Sequence, residues 1–156
     1  MIKELKDNVI SLLDDVFRVF DGLCKKNGIQ KIETVGKTYM ACGGLKFIES
    51  SLDKTMKLKS TTYRTVKMAM EMMDFVNDYT YKAGKRLHIK IGIHYGGCIF
   101  GVLGYHKPQF SLIGDTINTT SRHCTGGEKD QIVISQAAWA QVKGEDIVKG
   151  REKVIH

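Results

Sequence analysis

The feature that most constrains this chain is a change of hydrophobic period at residue 28. From about Lys3 to Asn27 the apolar residues Val9, Leu12, Leu13, Val16, Phe20 and Leu23 recur at helical spacing, and Asn27-Gly28 is a good helix stop. Directly after it, Ile29 to Val35 alternates with period two, with Ile29, Lys31, Glu33 and Val35 on one side and Gln30, Ile32 and Thr34 on the other. Gly36-Lys37 then punctuates, and Thr38 to Leu45 resumes an extended pattern. Helix, strand, tight turn, strand is the economical reading. A long amphipathic helix feeding a hairpin must bury its stripe on the sheet that the hairpin starts.

The rest of the chain repeats that theme. Val66, Ala69, Met70, Met73, Val76 and Tyr79 set out a second helix over Arg64 to Tyr81, its methionines serving as core filler. Lys46 to about Thr62, between hairpin and helix, has weak periodicity and reads as a basic connection. Leu87 to His94 and Cys98 to Leu103 read as an antiparallel pair around Tyr95-Gly96-Gly97. Gln131 to Ile134 is a short strand, Ser135 caps a last helix through Val142 with Trp139 beneath it, and Asp146 to Ile155 ends in an edge strand. The predicted class is α+β, a ferredoxin-like sandwich with a mostly antiparallel sheet and helices on one face. That pattern wants a strand before the first helix, and here the chain opens on the helix.

The chemistry concentrates in Ser111-Leu-Ile-Gly-Asp-Thr-Ile-Asn-Thr-Thr-Ser-Arg-His123. A strand ends at Gly114, and Asp115 is placed to cap a helix beginning at Thr116. Asn118 and Arg122 lie four residues apart and so project from one helical face. An amide beside a guanidinium suits a ligand with both hydroxyls and phosphates. The plain alternative is a polar helix start and a solvated surface charge. Glu33 has its own plain alternative, a solvent-facing strand position on a half-exposed sheet.

Composition excludes several classes. A chain of 156 residues with 42% hydrophobic content fits a single domain spanning 1–156. No apolar run nears the ~18 residues of a membrane helix, and the N-terminus is unlike a signal peptide. The net charge of +7 suits an anionic ligand. Nucleic acid is not the expected partner, because Phe47, Phe75 and Phe100 fall in different elements and form no base-stacking pair. Cys24, Cys42, Cys98 and Cys124 stand far apart and read as reduced, mostly buried thiols.

Three blocks in order, Lys31-Ile-Glu-Thr-Val-Gly-Lys-Thr-Tyr-Met-Ala41, Ile89-Lys-Ile-Gly-Ile-His-Tyr-Gly96 and Phe110 to Arg122, resemble the class III nucleotidyl cyclases. The resemblance runs from about Asn8 to Trp139. It implies conversion of ATP or GTP to a 3′,5′-cyclic nucleotide and pyrophosphate at a site formed between two such domains. Two ions, Mg²⁺ or Mn²⁺, are held by two aspartates of one half. On the other half, Asn118 is implied to hold the ribose and Arg122 to stabilise charge at the α-phosphorus, a role worth about two to three orders of magnitude in rate.

The position falling on Glu33 is lysine in adenylate cyclases and glutamate in guanylate cyclases. Its carboxylate can accept from guanine N1–H and N2–H₂ together. Ser111 falls on the second base-reading position and can donate to guanine O6. Both point to GTP. Where the metal-binding half has aspartate after the hairpin glycine, this chain has Lys37, which cannot ligate Mg²⁺. The chain is thus expected to be the base-recognising half, trimmed at both ends and inactive alone, with a partner domain carrying the two metal aspartates. Such split pairs occur in soluble heterodimeric receptors and in large protozoan membrane proteins. Lys37, Ile113 and His123 lean toward the second, hence toward a cytoplasmic domain of a membrane-anchored parent. The rival readings are an adenylate cyclase half and a degenerate cyclase-like domain that only dimerises and regulates.

Overall fold

The computed structural model describes residues 2–35, 37–83, 87–103, 109–145 and 154–155. Helix α1 (Ile2–Asn27) leads into strands β1 (Gln30–Val35) and β2 (Thr38–Cys42). Two one-turn helices, α2 (Lys46–Glu49) and α3 (Lys54–Lys57), precede the long α4 (Thr61–Ala83). Then come β3 (Lys90–Ile93), β4 (Ile99–Leu103), β5 (Gln109–Ile113), α5 (Asp115–Gly126), β6 (Gln131–Ile134), α6 (Gln136–Val142) and β7 (Val154–Ile155). The class is α+β, as predicted. No described helix is long and apolar enough to cross a membrane.

Helix α1 stops where its sequence stops it. Gly28 adopts φ +66, and Ile29 N–H reaches back to the Cys24 carbonyl at 2.9 Å, closing the last turn. Its buried stripe is Val16, Phe20 and Cys24, each one turn from the next. This stripe meets Met68, Met72 and Val76 of α4, with Tyr39 and Ala41 of β2 packed alongside. The opposite side of α4, with Val66, Ala69, Met70 and Met73, covers Ile93, Ile132 and Ile134 of the sheet and Ala138 and Val142 of α6. Thus α4 is buried on two sides and joins two hydrophobic clusters.

Arg64 ties the cluster ends together. It is 4% exposed; Nη1 donates to the carbonyls of Asn27 and Gly28, and Nη2 to Glu49 Oε1 at 2.6 Å and Thr61 Oγ1 at 3.1 Å. The end of α1, the short α2 and the start of α4 are thereby fixed to one guanidinium.

Several local expectations are corrected. Leu87–His94 and Cys98–Leu103 do not pair with each other. β3 instead runs parallel to β6, with Ile91 opposite Ile132, and β4 pairs antiparallel with β5, with Gly101 opposite Ser111. β7 extends the parallel ladder at the edge of β6. The basic connection after residue 45 contains two helical turns, one of them capped by Asp53 accepting from Met56 N–H at 2.9 Å. All four cysteines are free, but Cys24 alone among them is buried and Cys98 is exposed.

Candidate functional site

Helix α5 starts one residue earlier than its sequence suggests. Gly114, at φ 140 and ψ 171, takes the capping position, and Asp115 makes no side-chain cap bond. Its carboxylate still sits in the first turn, where negative charge suits the helix dipole. Gly114 is what lets β5 turn straight into α5, since a φ of 140 is strained for any residue with a Cβ.

The helix has two unlike faces. Thr116, Thr120, His123 and Cys124 are half-buried and turn toward the sheet, whereas Asp115, Asn118, Arg122 and Thr125 are exposed. No residue of α5 is fully buried. The inner hydroxyls are satisfied locally, Thr120 Oγ1 by the Thr116 carbonyl at 2.6 Å, and Cys124 Sγ bonds to the Lys90 carbonyl at 3.3 Å. A thin inner face of this kind fits the surface beneath it. A Cβ at Gly92 of β3 would stand 2.4 Å from Cys124 N and 2.8 Å from the Thr120 carbonyl oxygen. The bare backbone at Gly92 is therefore the seat of α5.

Asn118 and Arg122 follow each other by about 6 Å of helix rise on the outer face. Both are exposed, and among the described residues neither side chain has a hydrogen-bond or ion-pair partner.

Strand register decides the direction of Glu33. Lys31 pairs with Ala41, yet Glu33 pairs with Met40, so Ile32 is an extra residue, a β-bulge. Cross-strand partners share a sheet face, and Ala41 and Met40, being consecutive, lie on opposite faces. Lys31 therefore belongs with Ala41 and Tyr39 on the side packed against α1. There the Tyr39 hydroxyl donates to Asp21 Oδ1 at 2.7 Å, and Lys31 Nζ lies 3.4 Å from the same carboxylate. Glu33 belongs with Met40 on the other face, and it is exposed. This corrects the simple alternation that put Lys31 and Glu33 on one side.

Strand β1 lies beside β5, which carries Ser111 and runs on through Gly114 into α5. The strands of Glu33 and Ser111 are thus neighbours, and the helix of Asn118 and Arg122 begins where β5 ends. No hydrogen bond or ion pair among the described residues links Glu33 to Asn118 or Arg122.

Elsewhere the titratable groups are less inviting. A shallow cleft between α1 and β1 is lined by Asp21, Cys24, Lys25, Ile29, Gln30 and Lys31. It opens on the α1 side, away from Glu33. Burial, the hydrogen bond to Cys24 and the Asp21 carboxylate push the Tyr39 phenol far up, and burial pushes the Cys24 thiol up, so both stay protonated. Burial and the neighbouring Cys98 push the Cys42 thiol up to about 11. Among the described residues, no group of three His, Cys, Asp or Glu side chains could hold a metal ion. The hairpin turn presents Lys37, exposed, where a carboxylate would be needed. The donor set in this part of the chain does not fit a divalent cation.

Three contributors escaped the sequence reading: the bulge at Ile32, the seat at Gly92, and the paired imidazoles of His94 and His123. Only Gly92 left a readable trace, a glycine inside a strand pattern, which signals close backbone approach.

The family model for the adenylate and guanylate cyclase catalytic domain matches residues 2–155. The germination-specific adenylate cyclase of Dictyostelium discoideum is 34% identical over 152 residues, covering 96% of this chain and 17% of that protein. The receptor-type guanylate cyclase gcy-5 of Caenorhabditis elegans is 29% identical over 157 residues, covering 92% of this chain and 13% of that protein. The chain therefore spans less than a fifth of the length of these relatives. Among solved structures, the guanylate cyclase domain of RhGC from Catenaria anguillulae, in complex with GTP, superposes with a TM-score of 0.74 at 26% identity, covering 88% of this chain and 71% of that one.

Proposed function

Because the chain belongs to the adenylate and guanylate cyclase catalytic-domain family, we propose that it is the guanine-recognising half of a split guanylate cyclase. A second cyclase domain, carrying the two metal aspartates, completes the site. The observation that carries this reading is the Ile32 bulge, which turns Glu33 to the sheet face away from α1. The two relatives named above differ in substrate, one an adenylate and one a guanylate cyclase. Base choice therefore rests on the chain's own residues.

On this reading Glu33 accepts from guanine N1–H and N2–H₂, and Ser111 donates to O6. Adenine offers an acceptor at N1 and would leave the Glu33 carboxylate unpaired. Asn118 holds the ribose. The ribose 3′-hydroxyl gives up its proton to water, its oxygen bonds to the α-phosphorus, the bond from that phosphorus to the bridging oxygen breaks, and pyrophosphate leaves. Arg122 faces the negative charge that grows on the α-phosphoryl oxygens. The divalent ions, Mg²⁺ or Mn²⁺, belong to the partner half and supply activation of the 3′-hydroxyl. Lys37 is the reason to place them there.

Lys37 also favours a second reading, a cyclase-like domain that only dimerises and regulates. Mixing separates the two. This chain combined with a metal-bearing cyclase domain is expected to yield cyclic GMP from GTP, and neither component alone should do so. A complex that forms but neither binds GTP nor turns it over would favour the regulatory reading. Cyclic GMP from the chain alone would overturn the half-site assignment. We place the domain on the cytoplasmic side of a membrane-anchored parent, in keeping with the receptor-type relative.

A further inference from the structure

The end of β3 and the outer half of α5 are joined by two stacked imidazoles. The rings of His94 and His123 lie 5.8 Å apart and within 8° of parallel. His123 Nδ1 donates to the Thr119 carbonyl at 2.8 Å, which leaves Nε2 as its basic nitrogen. His94 Nδ1 is 2.8 Å from Ser135 Oγ, an oxygen that also accepts from Ala138 N–H to cap α6. The serine hydroxyl proton can then point at His94, and proton uptake by His94 reverses that bond without uncapping α6.

This part of α5 sits on β3 through bare backbone and a few polar bonds. Its inner face has no fully buried residue, and its seat on β3 is the bare backbone of Gly92. The other anchors are the Thr116 hydroxyl donating to the Gly97 carbonyl and the Cys124 thiol on the Lys90 carbonyl. Among the described residues, the groups against the imidazole pair are Ser135 from the β6–α6 junction, the Thr119 carbonyl from α5 and Gly96 from the loop after β3. None of these is charged. Burial first, then His123, hold His94 below the usual histidine range. Arg122 immediately precedes His123.

We propose that His94 and His123 are positioning residues that hold Arg122 through α5, a latch that opens when His94 takes up a proton against its stacked neighbour. The inference rests on the catalytic reading of Arg122 only for its consequence; the latch itself is a property of this chain. A proton on His94 charges one ring of the stack and reverses its bond to Ser135, so the contact between the end of β3 and α5 changes at that point.

Nuclear magnetic resonance titration of the chain tests it. In the wild type the amide signals of Asn118 and Arg122 should move with the midpoint of the His94 ring. His123→Phe keeps an aromatic ring in the stack but removes its charge. It should raise the His94 midpoint toward 6.5, the ordinary histidine value, and flatten the acid-side movement of Asn118 and Arg122. His123→Gln serves the same comparison if the phenylalanine variant folds poorly. Independent titration of His94 in either variant, or Asn118 and Arg122 signals that ignore the histidines, would overturn the latch. In a complex with a metal-bearing cyclase domain, the acid limb of cyclic GMP output should follow the His94 midpoint and shift with His123→Phe. An absence of product at every pH would count against the guanylate cyclase reading and leave the titration to decide the latch.

Discussion

Arg64 lies in the body of the molecule and Arg122 on its rim, and the two guanidinium groups have opposite surroundings. Arg64 is 4% exposed and spends its Nη donors on Asn27, Gly28, Glu49 and Thr61. A charge taken out of water needs those acceptors, because its lost hydration is otherwise uncompensated. Arg122 stays in water with no partner among the described residues. Its donors remain free for a ligand, and its planar fork matches phosphoryl oxygens. One arginine has its Nη donors taken by the fold, with only Nε left without an acceptor, and the other is left to solvent. Burial and bonding, more than residue type, separate a cation held by the fold from one left to solvent.

Crossed substitutions break this contrast most directly. Arg122→Ala should lower cyclic GMP output of the completed pair by about 10²–10³-fold. It should move the chain's unfolding free energy by no more than about 0.5 kcal/mol. Arg64→Ala should do the reverse to stability, costing about 3 kcal/mol by leaving Glu49 and two carbonyls without their donor. Urea midpoints of the chain, measured beside turnover of the pair, read both. If Arg122→Ala unfolds the chain, or Arg64→Ala leaves the midpoint untouched, the division between body and rim is wrong.

The next effect lies at the rim alone. Glu33→Lys combined with Ser111→Asp should shift the GTP-to-ATP preference of the completed pair toward ATP by at least about tenfold. Stability should change little, because Glu33 is exposed. An unchanged preference would remove both residues from base recognition and leave Arg122 as the surviving part of the site.

The body was easier to read from sequence than the rim, for physical reasons. Val16 and Phe20, like Val66, Ala69, Met70, Met73 and Val76, are buried at the helical spacing that the sequence displays, and period survives in sequence because packing requires it. The Ser135 cap and the Gly28 stop were equally legible, each set by one local bond or one backbone angle. The parallel pairing of β3 with β6 was not, since Ile91 and Ile132 meet across 41 positions and a parallel ladder has no turn to announce it. Adjacent runs around Gly96-Gly97 looked like a hairpin on turn residues alone. Ile32 gave no warning either. A bulge appears only in register, and alternation through Lys31 and Glu33 points the carboxylate to the wrong face. The sequence thus offered Glu33 and Arg122 as candidates without revealing the bulge at Ile32 that sets the direction of one or the seat at Gly92 that sets the helix of the other.

Glu71 stands between the two arginines and gives the smallest test of the contrast. Its side chain is 21% exposed, forms an ion pair with Lys26, and accepts from Asn27 Nδ2 at 3.0 Å. Burial pushes its carboxyl up, but the bonds from Lys26 and Asn27 outweigh that and leave it below its ordinary value of 4.5. A carboxylate with a depressed value in the folded state binds fewer protons folded than unfolded. Its contribution is therefore complete above 4.5 and lost as pH falls through the lower folded value. Glu71→Gln should remove under about 1 kcal/mol near neutrality, the scale of a half-exposed pair, and the difference from wild type should shrink below pH 4.5. A difference that stays constant across that range would mean that Glu71 acts through packing, as Arg64 partly does, and that charge pairing at the α1–α4 seam contributes nothing of its own.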